Sequence, residues 1–347
     1  MAHSPSPTVP SIIVIGASAG GVQALLELAR VLPPDLSAAI FIVQHIPAYA
    51  TSYLAELLDK AGPLPARHPQ HGEPIQPGTI YVAPPDHHLL LAQDQVLVTR
   101  GPKENHFRPS IDALFRSAAY TYGSRVIGVV LTGYLDDGTS GLWTIQRLGG
   151  VTIIQDPHDA YADAMPLSAL EYIKPDYLVT LAELSSLLQH LTAQPASPTA
   201  SLLPEELERI NLEIRIAKGE NAHELNFFHY GELTPFVCPA CQGPLVQLTE
   251  NKLLRFRCRT GHGFTLSALL ASVAEGVENN FYAAMQSLQE AQQLLQRLSE
   301  HFVQQAQPTV ARALQEQAEQ ARLRAQAVYA SIMQYQTPRD ARNTPPI

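Results

Sequence analysis

Cysteine is scarce in this chain and confined to one region: 347 residues hold three, Cys238, Cys241 and Cys258. An odd, clustered set excludes a disulfide framework and fits a reducing compartment and a metal site. Positive charge is in deficit. The formal net charge of −9 excludes a general nucleic-acid binder, which needs a basic face for phosphates. No apolar run reaches the roughly 20 residues of a membrane span, so no membrane insertion is expected. The opening Met1 to Pro10 lacks the basic start and apolar core of a signal peptide and reads as a flexible arm. A cytoplasmic protein is expected, and the 46% hydrophobic content supplies at least one large core.

What is present begins with Ser11-Ile-Ile-Val-Ile-Gly16-Ala17-Ser18-Ala19-Gly20-Gly21, which runs straight into the apolar-periodic segment Val22 to Leu32. A β-branched run, a glycine-rich turn and a helical pattern in succession place Ser18 at a strand-to-helix corner. Gly16 and Gly20 are expected to free that turn for strained or positive φ angles. Amides and the positive end of the following helix would then face whatever lies above Ser18. The corner is either a nucleophile mount or a ligand cradle.

Between Ser11 and about His190, short apolar runs alternate with helical stretches. The pattern predicts an α/β fold with a doubly wound, mainly parallel sheet, and the pair His88–Ala92 and Val96–Thr99 reads as an antiparallel hairpin. Ligands of such sheets bind outside the carboxyl ends of the strands. Strand ends here lead to Ser18, to His45, and through Thr132-Gly133-Tyr134-Leu135 to Asp136-Asp137-Gly138. A serine, an imidazole and a carboxylate on one sheet edge form the set that lets a weak hydroxyl attack a carbonyl. A histidine at a strand end also serves as an ordinary loop residue, and Asp-Asp-Gly as a turn with a helix cap. A dinucleotide site is disfavoured, because the third glycine is missing and His45 stands where a ribose-binding acid would be. The α/β-hydrolase fold orders its triad Ser, acid, His, whereas the order here is Ser, His, Asp.

Gly16-Ala-Ser-Ala-Gly-Gly, Gln44-His45-Ile-Pro47, Arg108-Pro-Ser-Ile-Asp112 and Leu131-Thr-Gly133 through Asp137-Gly138 together resemble the catalytic domain of the chemotaxis protein-glutamate methylesterase (CheB) family. The resemblance covers roughly Ser11 to His190. It implies Ser18 as nucleophile, His45 as general base and Asp137 as the carboxylate that orients it, with Asp136 left as a turn or capping residue. It further implies hydrolysis of glutamyl methyl esters on the cytoplasmic helical bundle of chemoreceptors, deamidation of receptor glutamines, and no cofactor for catalysis. The backbone amides of Ala19 and Tyr134 are the expected oxyanion donors. Ala19 and Tyr134-Leu135-Asp136 depart from the family pattern, which leaves an esterase acting on another ester, or an adaptor with a vestigial catalytic domain, as alternatives. Full-length members of the family usually carry a receiver domain ahead of the catalytic one, whereas about ten residues precede the first strand here, so control without that domain is expected.

In the second half, Cys238-Pro-Ala-Cys241 and Cys258-Arg-Thr-Gly-His262 form two chelating pairs at the spacing of a structural, zinc-ribbon-like Zn²⁺ site. Apolar residues then recur at three- and four-residue spacing from Val277 to Phe302 and, after Pro308, from Val310 to Ile332, which predicts a helical hairpin or short coiled coil. That hairpin is a candidate for homodimerisation or partner docking. The expected organisation is arm 1–10, catalytic domain 11–191, linker and connector 192–234, Cys₃His module 235–272, helical hairpin 273–335 and flexible tail 336–347.

Overall fold

Strands β1 (Ile12–Ala17), β2 (Ala39–Gln44) and β8 (Val126–Val130) are buried along their whole length, as predominantly apolar runs are when both faces of a sheet are covered. They belong to a computed structural model that describes residues 11–195, 202–250 and 252–335. The expected arm 1–10, tail 336–347 and part of the linker, 196–201, lie outside the described residues. The remaining elements are α1 (Gly21–Val31), α2 (Leu54–Ala61), β3 (Ala66–Arg67), β4 (Glu73–Pro74), β5 (Ile80–Val82), β6 (His88–Ala92), β7 (Gln95–Thr99), α3 (Ile111–Tyr122), α4 (Thr139–Arg147), β9 (Val151–Gln155), α5 (Ala164–Tyr172), β10 (Tyr177–Val179), α6 (Leu181–Thr192), α7 (Pro204–Ala217), β11 (Glu232–Val237), β12 (Pro244–Glu250), β13 (Leu253–Cys258), β14 (Gly263–Thr265), α8 (Leu266–Gln304) and α9 (Pro308–Tyr335).

The main sheet has the order β10-β9-β8-β1-β2-β5-β3 and every pairing in it is parallel. Because side chains alternate along a strand, the aliphatic run of β1 feeds two cores. Ile13 and Ile15 pack with Leu25 and Leu28 of α1, Leu54 and Leu58 of α2, and Leu184 and Leu188 of α6. Ile12 and Val14 pack on the other face with Leu114 and Phe115 of α3, Leu142 and Ile145 of α4, and Met165 of α5. Each such side chain contributes on the order of 1.5–3 kcal/mol by leaving water. The sheet is therefore doubly wound, as its sequence pattern predicts. The hairpin β6–β7 is antiparallel and joins β4 in a separate three-stranded sheet, whose Leu89, Leu91 and Val96 enter the second core. β1 is the switch point: the chain first builds outward through β2, then returns to place β8 on its other side.

The described chain divides into two compact units, one ending at Leu269 and one beginning at Leu270. Within the first, the segment expected to be a connector carries α7, whose second half is buried. Ala217 packs with Leu90 and Ala113, while Leu212 and Ile216 pack with Phe227 and Leu248. Beyond it, β11-β12-β13-β14 form an antiparallel sheet. In the second unit, Ala306 takes a φ of 55° between α8 and α9, and Ser299 Oγ donates to the Ala311 carbonyl at 2.8 Å.

A cluster of buried charges joins these elements. Arg116 of α3 meets Glu104 at 3.2 Å and Glu213 of α7 at 3.5 Å. From β13, Arg257 reaches Glu104 at 3.0 Å and Glu213 at 2.8 Å, and Arg255 reaches Glu213 at 2.5 Å and Glu250 at 2.9 Å. Burial alone would raise the Glu104 carboxyl, but Arg116 and then Arg257 outweigh it and hold it down to about 2. Ions taken so far from water persist only when paired. Replacement of Glu213 by alanine leaves Arg116, Arg255 and Arg257 facing only Glu104 and Glu250. Glu213→Ala is expected to lower the unfolding free energy by about 3–5 kcal/mol, read from the denaturant midpoint at unchanged slope. A loss below about 1 kcal/mol would mean the cluster contributes no more than a surface pair.

Candidate active site

The parallel register brings the predicted residues together. Ala17 of β1 lies opposite Gln44 of β2, and Gly16 lies opposite Val130 of β8. Ser18 and His45 therefore leave adjacent strands at the same level, and Ser18 N donates to the Thr132 carbonyl beyond β8 at 2.9 Å. The Thr132 hydroxyl donates to the Ala19 carbonyl at 2.8 Å and accepts from Ala162 N at 2.8 Å, which ties the serine turn to the β8 loop. Gly20 has the expected positive φ, 77°, and a Cβ there would lie 2.6 Å from Tyr161 Cβ. Gly16 differs from expectation. It is a strand residue, and its bare Cα makes room for Ile111, whose Cγ2 would stand 2.3 Å from a Cβ.

Asp137 is fully buried at the amino end of α3. One oxygen, Oδ2, accepts from His45 Nε2 at 2.8 Å and from Ile111 N at 2.7 Å. The other, Oδ1, accepts from Ser110 Oγ at 2.9 Å, Asn105 Nδ2 at 3.0 Å and Asp112 N at 3.3 Å. A helix amino terminus is where orphan N–H groups and the helix dipole favour an anion. Burial pushes the Asp137 carboxyl up, but the His45 bond and charge, followed by Asn105 and Ile111, outweigh it and hold it below the ordinary aspartate value. The neighbouring Asp112 goes the other way: burial first, then the Asp137 charge, push it well above its usual value. Of the two carboxyls, Asp112 takes up a proton first as pH falls, and the negative charge stays on Asp137, against His45.

The His45 ring is buried and stacks on Phe107 with 3.6 Å between centroids and 6° between planes. Its Nε2 faces Asp137, whereas Nδ1 is buried without a hydrogen-bond partner. Ser18 and His45 line one open pocket of 320 Å³ with Pro47, Lys103, His106 and Phe107. The site thus holds a half-buried hydroxyl and a ring with one nitrogen fixed by a carboxylate and the other unsatisfied. Such a set can move a proton off a nucleophile.

Asp136, expected as a turn or capping residue, has a larger part. Its carbonyl accepts from Thr139 N, as a turn would have it, but its carboxylate is buried and accepts from Thr265 Oγ1 of β14 at 2.8 Å. Asn105 and Phe107 carry no motif by themselves. Their adjacency to Arg108-Pro-Ser-Ile-Asp112 is the one signal in the sequence that could have pointed to them.

Away from this pocket, the ligand atoms of Cys238, Cys241, Cys258 and His262 lie within 4.8 Å of one another. Cys241 Sγ is 3.6 Å from Cys258 Sγ, and His262 Nδ1 is 3.5 Å from Cys258 Sγ and 3.8 Å from Cys238 Sγ. Tetrahedral zinc with bonds of about 2.3 Å to sulfur and about 2.0 Å to nitrogen gives edges of about 3.8 Å and about 3.5 Å. The four residues fit such an ion. The Thr260 hydroxyl, 3.0 Å from Cys258 Sγ and 3.1 Å from Cys241 Sγ, adds the outer hydrogen bond that thiolate ligands favour.

The chain is similar to known proteins over its first half. The family described as CheB methylesterase matches residues 13–188. A Leptospira interrogans protein is 39% identical over 180 residues, 52% of this chain and 93% of that protein. The protein-glutamate methylesterase/protein-glutamine glutaminase 2 of Anaeromyxobacter dehalogenans is 39% identical over 181 residues, 52% of this chain and 53% of that protein. The crystal structure of the Thermotoga maritima CheB methylesterase catalytic domain superposes with a TM-score of 0.51 at 35% identity, covering 53% of this chain and 99% of that one.

The Asp136 carboxyl is raised to about 6, by burial first and then by Asp137, against the lowering bond from Thr265. An acid raised on folding contributes stability that is full below its unfolded value and lost as pH rises through the folded one. Asp136→Asn keeps an acceptor for Thr265 without the charge. Its stability relative to wild type is expected to rise by about 2–3 kcal/mol between pH 4 and pH 7, measured by denaturation at each pH. A difference independent of pH would contradict the assignment.

Proposed function

The chain belongs to the CheB methylesterase family, and from that premise we propose that it is a serine hydrolase that cleaves glutamyl methyl esters of chemoreceptors and deamidates receptor glutamines through an acyl-enzyme on Ser18. The observation that carries this reading is the His45 ring, fixed at Nε2 by Asp137 and unsatisfied at Nδ1 beside Ser18. Ser18 Oγ attacks the ester carbonyl carbon while its proton passes to His45 Nδ1. The oxyanion forms between the Ala19 and Tyr134 amides. Collapse breaks the bond to the methoxy oxygen, which leaves as methanol with the proton from Nδ1. Water then gives a proton to the same nitrogen as its oxygen attacks the acyl carbon; collapse breaks the bond to Ser18 Oγ, which takes the proton back from Nδ1, and the glutamic acid product ionises to its carboxylate. With a glutamine substrate, ammonia takes the place of methanol.

Cys238, Cys241, Cys258 and His262 would hold a structural Zn²⁺; four protein ligands leave no open position for chemistry. The α8–α9 unit, with Leu294, Leu298 and Val303 exposed, supports docking to a signalling partner or a second copy. No described helix is long and apolar enough to cross a membrane; a cytoplasmic place beside the receptor bundle follows from the proposed substrate.

Methanol release from methylated receptor tests the reaction. Ser18→Ala and His45→Ala are each expected to lower turnover on the order of 10⁵- to 10⁶-fold. Equal rates for wild type and Ser18→Ala would sink the hydrolase reading, and turnover of small esters without turnover of receptor would move the substrate elsewhere. Zinc content is expected to drop in Cys241→Ser, and an unchanged metal ratio would count against the metal.

A further inference from the structure

Asn105 and His106 have φ of 50° and 73°, two consecutive side-chain-bearing residues in the left-handed region. Each costs roughly 1–2 kcal/mol, so the surrounding structure must hold them there. The hold comes from the sheet that carries the Cys/His cluster. Asn105 N donates to the Gly263 carbonyl at 2.8 Å, and Gly263 N donates to the Lys103 carbonyl at 3.2 Å. Asn105 Oδ1 accepts from Thr265 N at 2.9 Å, and His106 Nε2 lies 2.8 Å from the Ala268 carbonyl. Residues 103–106 thus continue the sheet beyond β14. On its other side, Asn105 Nδ2 donates to Asp137 Oδ1 at 3.0 Å and to Asp112 Oδ2 at 2.9 Å. Two residues later, Phe107 carries the ring that stacks on His45.

The anchor of this sheet edge is the cluster itself. His262 immediately precedes Gly263. Its turn is closed by Cys258 N donating to the His262 carbonyl at 3.0 Å and Gly261 N donating to the Cys258 carbonyl at 2.9 Å. Arg257 Nη1 donates to the Gly261 carbonyl at 2.7 Å, and the same guanidinium meets Glu104 at 3.0 Å. From His262 to Asp137 the path is one peptide bond and two hydrogen bonds. These bonds close the turn from its own side; an ion held by all four residues would add a tie from Cys238 and Cys241 to the turn that carries Gly263, which they otherwise meet through thiol and hydroxyl contacts.

We propose that Asn105 is a positioning residue for the Asp137–His45 pair, and that metal at Cys238, Cys241, Cys258 and His262 holds it in place, so that loading of the Cys/His site sets turnover at Ser18. The inference rests on the hydrolase and metal readings above. It makes the Cys/His sheet part of the active-site wall and zinc supply a control on demethylation.

The test compares full-length zinc-loaded protein, the same protein stripped with a chelator, and Asn105→Asp. The readouts are bound zinc, kcat and KM for methanol release, the rate of Ser18 modification by a fluorophosphonate, and amide exchange. Stripping is expected to speed exchange over residues 103–108 while β1 and β2 stay protected. It should lower both kcat and the fluorophosphonate rate about tenfold or more with little change in KM, and added Zn²⁺ alone should restore them. Asn105→Asp keeps a residue tolerant of positive φ and an oxygen for Thr265 N, but turns a donor to Asp137 into a second carboxylate. It is expected to retain zinc, to lose about tenfold or more in kcat, and to shift the acid limb of the kcat profile upward, which a merely structural role would not do. Zinc-free protein that turns over at the loaded rate would overturn the metal link. Wild-type kcat in Asn105→Asp would overturn the positioning role. Protein that never carries metal would overturn the link together with the metal reading, while absence of Ser18-dependent turnover in loaded wild type would strike the hydrolase reading itself.

Discussion

A carboxylate buried as deeply as Asp137 must be met by donors on every side, and the elements around it are arranged by that requirement. Its partners come from β2's exit through His45, from the α3 terminus through Ser110, Ile111 and Asp112, and from the preceding loop through Asn105. None of these segments can move without stranding part of a charge in dry protein, where an unmet ion is far more costly than a lost surface contact. The position of His45, and through it the chemistry proposed for Ser18, follows from satisfying this one group.

The same logic operates one layer out. Glu104, beside Asn105, and Glu213 of α7 are each met by guanidiniums from α3 and β13. The segment after the main α/β sheet is therefore joined to it by ions as well as by the apolar contacts of Leu212, Ile216 and Ala217. The two kinds of contact differ in effect. Apolar packing tolerates small shifts, whereas a buried ion lattice has one arrangement, and Asn105 is next in sequence to one of its members.

What the sequence made legible follows the range of the forces involved. β1, β2 and β8 and the helices between them are local patterns: aliphatic runs of strand length, glycine punctuation, 3.6-residue periodicity. The strand-end rule then places Ser18, His45 and Asp137 on one edge, and the family resemblance selects Asp137 over Asp136. The two-residue strands β3 and β4 have no pattern because pairing alone creates them. α7 escaped assignment because a buried glutamate, Glu213, interrupts its apolar face, and its partners Arg255 and Arg257 lie some forty residues away. Asp136 reads as a turn and Asn105 carries no signal of its own, because their informative partner, Thr265, is 129 and 160 residues distant. Gly16 reads as a turn glycine in the sequence, but what it supplies is room for Ile111.

The stack of His45 on Phe107 has a consequence for the order of events. A ring held face to face at 3.6 Å and bonded at Nε2 has no freedom to flip. In the proposed cycle such an imidazole can deliver its proton only from the nitrogen that received it, and only to an atom that has come to the place the serine proton left. The leaving group must therefore present itself along the same line for an ester as for an amide. Selection between the two then falls to the geometry of the incoming side chain, and a pinned base becomes a gauge of alignment as much as a carrier of protons.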